Sequence, residues 1–359
     1  MNKDLTVLGI ETSCDDTSMA ILRQVNGETH VLAHICYGQE DSLKHWGGVV
    51  PEIAARNHLQ KIRPTLEEVL QASDLKMSDI DLISVTTLPG LLGPLLTGLN
   101  TAKTLSLLYK KPIMATNHLF AHLEAIHIDQ EVSYPYLGLL VSGGHSIYFL
   151  VENRDKFTVL GSTIDDAAGE AFDKGGKLLG LGYPAGHIID RMAKFGDSKR
   201  FTFPIGLKSS ANSQLSYSGL KTALRVFLEK NNTVLQQIPT QFSTKEEDKQ
   251  DFYDTCASYQ CAIVSALLLK LKYALKMAIE KGFPKNIPIV VGGGVASNSE
   301  LRSQVIKKYP QAKFVNKKFC TDNGAMIANF GIIHHDQAIR FPECLKMDAR
   351  GRYLDKKAK

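Results

Sequence analysis

The sequence has no C-x-x-C pair, a single tryptophan and no apolar run approaching the roughly 20 residues needed to cross a bilayer. Each absence removes a class of protein. Its six cysteines (Cys14, Cys36, Cys256, Cys261, Cys320 and Cys344) are scattered, so neither a thiolate zinc knuckle nor a disulfide framework is indicated, and they read as reduced thiols. Met1 to Asp4 is polar, and the apolar stretch Leu5 to Ile10 is short and runs into acids, unlike a signal peptide. A cytoplasmic protein with no membrane partner is expected. The P-loop G-x-x-x-x-G-K-[ST] is missing too, as is the zinc-peptidase H-E-x-x-H. Nor is one charge in large excess: 42 Lys and Arg stand against 37 Asp and Glu. That balance suits a nucleic-acid partner but lacks the dense basic stripe of a dedicated binder. The tail Arg350 to Lys359 reads as a solvated terminus that could touch phosphate.

What is present fits an α/β protein of 359 residues, enough for one large or two ordinary domains. Two stretches look alike, LTVLGIETSCDDTSMAILRQ near the start and YLGLLVSGGHSIYFLVEN from Tyr136. Each is an apolar strand, a short polar turn and a second apolar strand, hence a β-hairpin opening a half. The first is followed by a helical segment from Pro51, the strand IDLISVTTL and a helix within PGLLGPLLTGLNTAKTLSLLY. The second leads into a glycine-rich segment, a long apolar helix near Cys256 to Lys281, the buried strand IPIVVGG and the helix Ser299 to Lys308. Two α/β halves with an intervening cleft follow, with boundaries at 1–135 and 136–335 and a tail at 336–359. The polar, poorly periodic stretch 229–250 is expected to be a surface insertion.

Several segments carry chemistry. In NHLFAHLEAIH, His118 and His122 lie about 40° apart on one helical face and can share an ion, whereas His127 and Glu124 point elsewhere. A polar helix face gives the same pattern, and Leu119 stands where a peptidase would need its glutamate. In CTDNGAMIANFG, Asp322 is either a turn or N-cap aspartate or a third ligand beside the two imidazoles. IVVGGGVASNSELR is a strand, a glycine turn and a helix N-terminus with Asn298 at the cap, an arrangement that offers N–H groups to an anion. From Gly169 to Ala193 so many glycines accumulate that no regular element is expected. There Asp173 and Asp190 are candidates to accept hydrogen bonds from ribose hydroxyls, or are solvated loop acids.

Taken in order, GIETSCDDTS, GGVVPEIAARNH, PGLLGPLLTG, the H-x-x-x-H pair, LLVSGGHS, AFDKGGKLLGLGYP, SYSGLKTA, VVGGGVASNSELR and TDNGAMIA resemble the TsaD (Gcp, YgjD) family within the actin, Hsp70 and sugar-kinase (ASKHA) superfamily. The resemblance runs from Leu8 to about Ile333 and looks like a bacterial member. It implies two actin/Hsp70-like, ribonuclease H-like halves with a central nucleotide cleft. The implied activity transfers threonylcarbamoyl from threonylcarbamoyl-adenylate to N6 of the adenosine 3′ of the anticodon in tRNAs reading codons that begin with A. His118, His122 and Asp322 would hold one divalent metal, iron by the family's usual description, with zinc chemically possible. Leu140, Val141, Ser142, Gly143 and Gly144 would cradle the phosphate and threonylcarbamoyl end; Asp173, Gly186, Asp190 and Asn298 would bind the adenylate's sugar and base. No general base is assigned, Asp16 in the first hairpin turn being a weak candidate. The implied partners are the paralogue TsaB and the ATPase TsaE, with a TsaC-type enzyme upstream.

A metallopeptidase and an ATP-binding kinase-like or chaperone-like protein are the competing readings. The first lacks its glutamate, and the second leaves the histidine pair without a purpose. Three positions depart from the family pattern: Phe120-Ala121 between the histidines, Leu88 before Pro-Gly, and Ala185 before Gly186.

Overall fold

The computed structural model describes residues 4–39, 42, 46, 48–231 and 246–352. Residues 232–245 of the expected insertion and 353–359 of the basic tail lie outside the described residues. The chain forms two compact units, one running to Glu131 and resuming at Thr321, the other spanning Val132–Cys320.

In the first unit, β1 (Leu5–Glu11), β2 (Thr17–Val25) and β3 (Glu28–Tyr37) form an antiparallel meander, with Leu5 opposite Gln24 and Glu11 opposite Ser18. β4 (Leu82–Leu88) and β5 (Ile113–Asn117) then add in parallel, giving the order β3-β2-β1-β4-β5. β1 is apolar almost throughout because both of its faces are covered. Leu8 and Ile10 face a core shared with Ile62 and Val69 of the helix Pro51–Ser73 and with Leu95 and Leu99 of the helix Leu92–Tyr109. Gly9, pointing the other way, lies against the helix Gly324–Ile333, so closely that a Cβ there would sit 2.1 Å from the Gly324 carbonyl oxygen.

That contact explains why the division of the chain differs from the expected boundary at 335. The last long helix packs on β1, β2 and β4 and belongs to the first unit, although 189 residues separate its unit's two segments.

The second unit repeats the wiring. β6 (Tyr136–Val141), β7 (Ser146–Asn153) and β8 (Lys156–Ser162) form a meander, and β9 (Ile289–Gly292) and β10 (Ala312–Phe314) join in parallel, in the order β10-β9-β6-β7-β8. Both expected hairpins are present, and the third strand of each meander completes them. Among the described residues no helix is long and apolar enough to cross a membrane.

One expectation is overturned. The glycine-rich stretch is largely helical, with helices at Ala168–Leu178 and Gly186–Ala193. Gly169, Gly175 and Gly176 serve close packing, while Gly180 and Gly182 take the positive φ of the connection between the two helices. A Cβ on Gly169 would lie 2.6 Å from the Ser142 carbonyl oxygen, one on Gly175 would lie 2.4 Å from the Tyr259 ring, and one on Gly176 would lie 2.0 Å from the Ala185 methyl. Tertiary contact outweighs the ~1 kcal/mol helix penalty of each glycine.

Candidate functional site

β5 ends at Asn117, whose side chain accepts the amides of Leu119 (2.9 Å) and Phe120 (3.4 Å) and so starts the short helix His118–Glu124. One turn of that helix aligns His118 with His122, their rings 4.6 Å apart and nearly perpendicular. Two hundred residues on, Asn323 caps the helix Gly324–Ile333 by accepting the Met326 amide. With Asn323 serving as the cap, Asp322 is turned to the histidines. Its Oδ1 lies 3.0 Å from Nε2 of His122 and 3.6 Å from Nε2 of His118.

Two imidazole nitrogens and a carboxylate oxygen, all within 4.8 Å of one another, make a donor set that fits a divalent cation. Both histidines are buried and Asp322 is partly exposed. His127 is outside this cluster, paired instead with Glu124 at 3.7 Å.

Behind His118 stands a residue that sequence reasoning missed. Glu11, at the end of β1 and fully buried, places Oε2 3.2 Å from His118 Nδ1. Its position is fixed by the Ser13 amide and the Thr86 hydroxyl, each donating at 2.5 Å, while Ser13 Oγ lies 3.1 Å from the same imidazole nitrogen. An acid closing an otherwise apolar strand was the available signal. Burial pulls His118 down, but the Asp322 and Glu11 carboxylates outweigh it and raise its pKa from 6.5 to about 9. Burial pushes Glu11 up, yet the adjacent His118 brings it below its ordinary value. His122 is lowered, by burial first and by the neighbouring His118 charge, against its hydrogen bond to Asp322.

Asp16 occupies the partly buried turn between β1 and β2, its Oδ1 close to Gly38. His58 pins this turn, its ring nitrogens 2.7 Å from Thr17 Oγ1 and 3.0 Å from the Cys14 carbonyl.

The remaining predicted residues belong to the second unit. Leu140 and Val141 are buried strand residues, and the turn they lead into is tied by the Ser142 amide to the His145 carbonyl (2.8 Å) and the His145 amide to Ser142 Oγ (3.2 Å). Gly143 and Gly144 are the exposed part of it, with open space where a Cβ would stand. Asp173 accepts the Ala185 amide at 2.8 Å, setting the start of the helix that begins at Gly186. From that helix Asp190 accepts the Ser299 hydroxyl (2.8 Å) and amide (3.2 Å). Asn298 caps the helix Ser299–Lys308 through the Leu301 amide and donates to Gln260 at 2.7 Å. These side chains form one linked scaffold. Of the three departures, Ala185 is explained by the bare face of Gly176, Ala121 is wholly buried, and nothing in the structure explains Leu88.

Residues 30–329 match the family described as TsaD, tRNA N6-adenosine threonylcarbamoyltransferase. The chain belongs to the TsaD family. A relative of that name from Treponema denticola is 42% identical over 99% of this chain and 100% of its own length. Others from Ruegeria sp. (39%; 99% and 96%) and Anaeromyxobacter sp. (41%; 91% and 93%) agree. As a TsaD member the chain is an acyltransferase with tRNA as its nucleic-acid substrate. Among solved structures, component A of the (R)-2-hydroxyglutaryl-CoA dehydratase of Acidaminococcus fermentans is similar at TM-score 0.50 and 16% identity, covering 91% of this chain and 97% of that one. Full-length HypF is similar at TM-score 0.53 and 12% identity, over 93% of this chain and 46% of that one. At these identities the likeness is one of fold, the actin/Hsp70-like α/β architecture.

Proposed function

We propose that the chain transfers threonylcarbamoyl from threonylcarbamoyl-adenylate to N6 of the adenosine 3′ of the anticodon in tRNAs reading codons that begin with A. Family membership supports the reaction, and the observation that carries the assignment of residues is the convergence of His118, His122 and Asp322. Those three hold one divalent ion. Two histidines and one carboxylate favour Fe(II), with Zn(II) the alternative. A bound ion supplies Lewis acidity toward the carbamoyl or phosphate oxygens. Glu11 keeps the proton of His118 on Nδ1, which leaves the Nε2 lone pair for ligation.

In the second unit the turn of Leu140, Val141, Ser142, Gly143 and Gly144 takes the phosphate and threonylcarbamoyl end. The Ser142 amide is already spent within the turn, so the amides of Gly143 and Gly144 are the donors assigned to developing negative charge, each worth about 3 kcal/mol when well placed. Asp173, Gly186, Asp190 and Asn298 bind the adenylate's sugar and base. The adenosine amine attacks the carbamoyl carbon, the bond to phosphate breaks and AMP leaves. Asp16, in the turn between β1 and β2, is the candidate assigned to take the amine's proton. A TsaB paralogue, a TsaE ATPase and a TsaC-type enzyme making the adenylate are the proposed partners, in the cytoplasm.

The test is mass spectrometry of nucleosides from unmodified tRNA incubated with threonine, bicarbonate, ATP and those partner proteins. Threonylcarbamoyladenosine is expected, and its absence with active partners and folded enzyme rejects the reading. Metal analysis of wild type beside His118→Ala and His122→Ala tests the ligands, since equal metal in all three overturns them.

A further inference from the structure

One internal segment carries several cations and no acid. Residues 301–321 hold six of its 42 Lys and Arg and none of its 37 Asp and Glu, which leaves 36 cations against 37 acids elsewhere. The segment comprises most of the helix Ser299–Lys308, the edge strand β10 and a short turn at Lys317–Phe319. Arg302 is used internally, donating to the carbonyls of Ala296 (2.7 Å) and Val315 (3.1 Å). The five lysines, Lys307, Lys308, Lys313, Lys317 and Lys318, are all exposed. Of these, Lys307, Lys308, Lys317 and Lys318 form no ion pair among the described residues.

They stand on a fixed base. Val305, Tyr309, Phe314, Val315 and Phe319 are buried beneath them, and Asn316 caps the turn that carries Lys317 and Lys318. Lys313 lies on β10, and Lys317 and Lys318 on the turn that follows it. A nucleic-acid duplex presents one charge per roughly 1.7 Å of axis, a density that closely spaced exposed lysines can meet.

We propose that this lysine edge of the second unit docks the phosphate backbone of the tRNA substrate, a proposal that rests on the tRNA-modifying reading. Two features favour the backbone over the bases. Lysine is a point charge suited to phosphate without the planar fork that reads base edges. The aromatic rings of the segment are buried, so no stacking platform is offered to unpaired bases. The surface therefore adds affinity without sequence preference, and the modified adenosine is chosen elsewhere.

The test compares three double variants of equal charge change: Lys307→Gln with Lys308→Gln, Lys317→Gln with Lys318→Gln, and, on the helix Glu246–Glu280, Lys272→Gln with Lys276→Gln. Binding of unmodified tRNA is measured across a KCl series, with thermal melting and metal content alongside. Each of the first two pairs is expected to weaken binding and to flatten the plot of log K against log salt by about 0.7 to 0.9 per lysine. KM for tRNA rises while kcat holds. The third pair shifts neither by that amount. An unchanged slope in the first two pairs, or an equal change in the third, overturns the proposal. Wild type that binds no tRNA in the presence of its partners overturns the underlying reading instead. Because the two pairs sit on different elements, a folding defect in one leaves the other to decide.

Discussion

Glu11 and His118, 107 residues apart, meet inside the first unit with Oε2 3.2 Å from Nδ1, Glu11 wholly buried and the His118 side chain only 6% exposed. A buried carboxylate behind a histidine fixes both the ring's tautomer and its orientation. The first prediction follows from that. Glu11→Gln keeps the volume and loses the charge, so metal affinity measured by chelator competition is expected to fall about 10–100-fold. Unchanged affinity with an intact melting transition would show that Glu11 is only a packing residue.

Proton and metal compete for His118. In the metal-free chain its pKa of about 9 means Nε2 is protonated at neutral pH, so loading expels that proton. Apparent affinity is expected to rise about tenfold per pH unit between roughly pH 7 and 9 and then to level. The stability of the metal-free protein is expected to follow the opposite trend. A histidine raised above its ordinary 6.5 gives stability that is fully present below that value and lost as pH rises through about 9. Melting of stripped and loaded protein at pH 6 and pH 9 checks both signs.

Ala185 and Gly176 act as a matched pair. Gly176→Ala forces a methyl to within 2.0 Å of the Ala185 methyl and is expected to cost about 1–3 kcal/mol by denaturant unfolding. Adding Ala185→Gly should recover most of that loss. Strict additivity of the two substitutions would contradict the contact.

Asp165 holds the start of the helix Ser218–Lys230, accepting from the Tyr217 amide and the hydroxyls of Ser216 and Ser218. Burial raises its pKa, but these donors together bring it below the ordinary 3.8. Its contribution is therefore present above that value and lost as pH falls through the lowered one. Asp165→Ala is expected to cost about 1 kcal/mol, seen as faster amide exchange in the first turn of that helix.

How much of this was legible in the sequence depended on whether the signal was local. The hairpins, the long helices and the His118–His122 spacing are local, and all of them stand in the structure. β3, the strand ETHVLAHICY, has only part of its length buried, so its pattern is weaker than that of β1. Asp322 could be read as ligand or cap until Asn323 took the capping role. Glu11 was overlooked because an acid at the end of a strand beside a turn is ordinary, and only the tertiary pairing gives it a purpose. The glycines of 169–176 misled because glycine content measures backbone freedom and carries no record of Ser142, Tyr259 or Ala185 pressing on the other side.

The two sheets share one strand order, and each opens with a hairpin whose turn occupies the same place in the wiring. One turn reads Thr12-Ser13-Cys14-Asp15-Asp16, the other Ser142-Gly143-Gly144-His145. Two turns in equivalent positions of the wiring differ in electrical character. The acidic turn repels phosphate and lies next in the chain to Glu11, the residue that backs a metal ligand; the glycine turn presents bare amides and has no acid of its own. Exchanging the two loops would take two carboxylates from beside Glu11 and put them on the turn proposed to receive an anion, so the two turns are not interchangeable under that proposal.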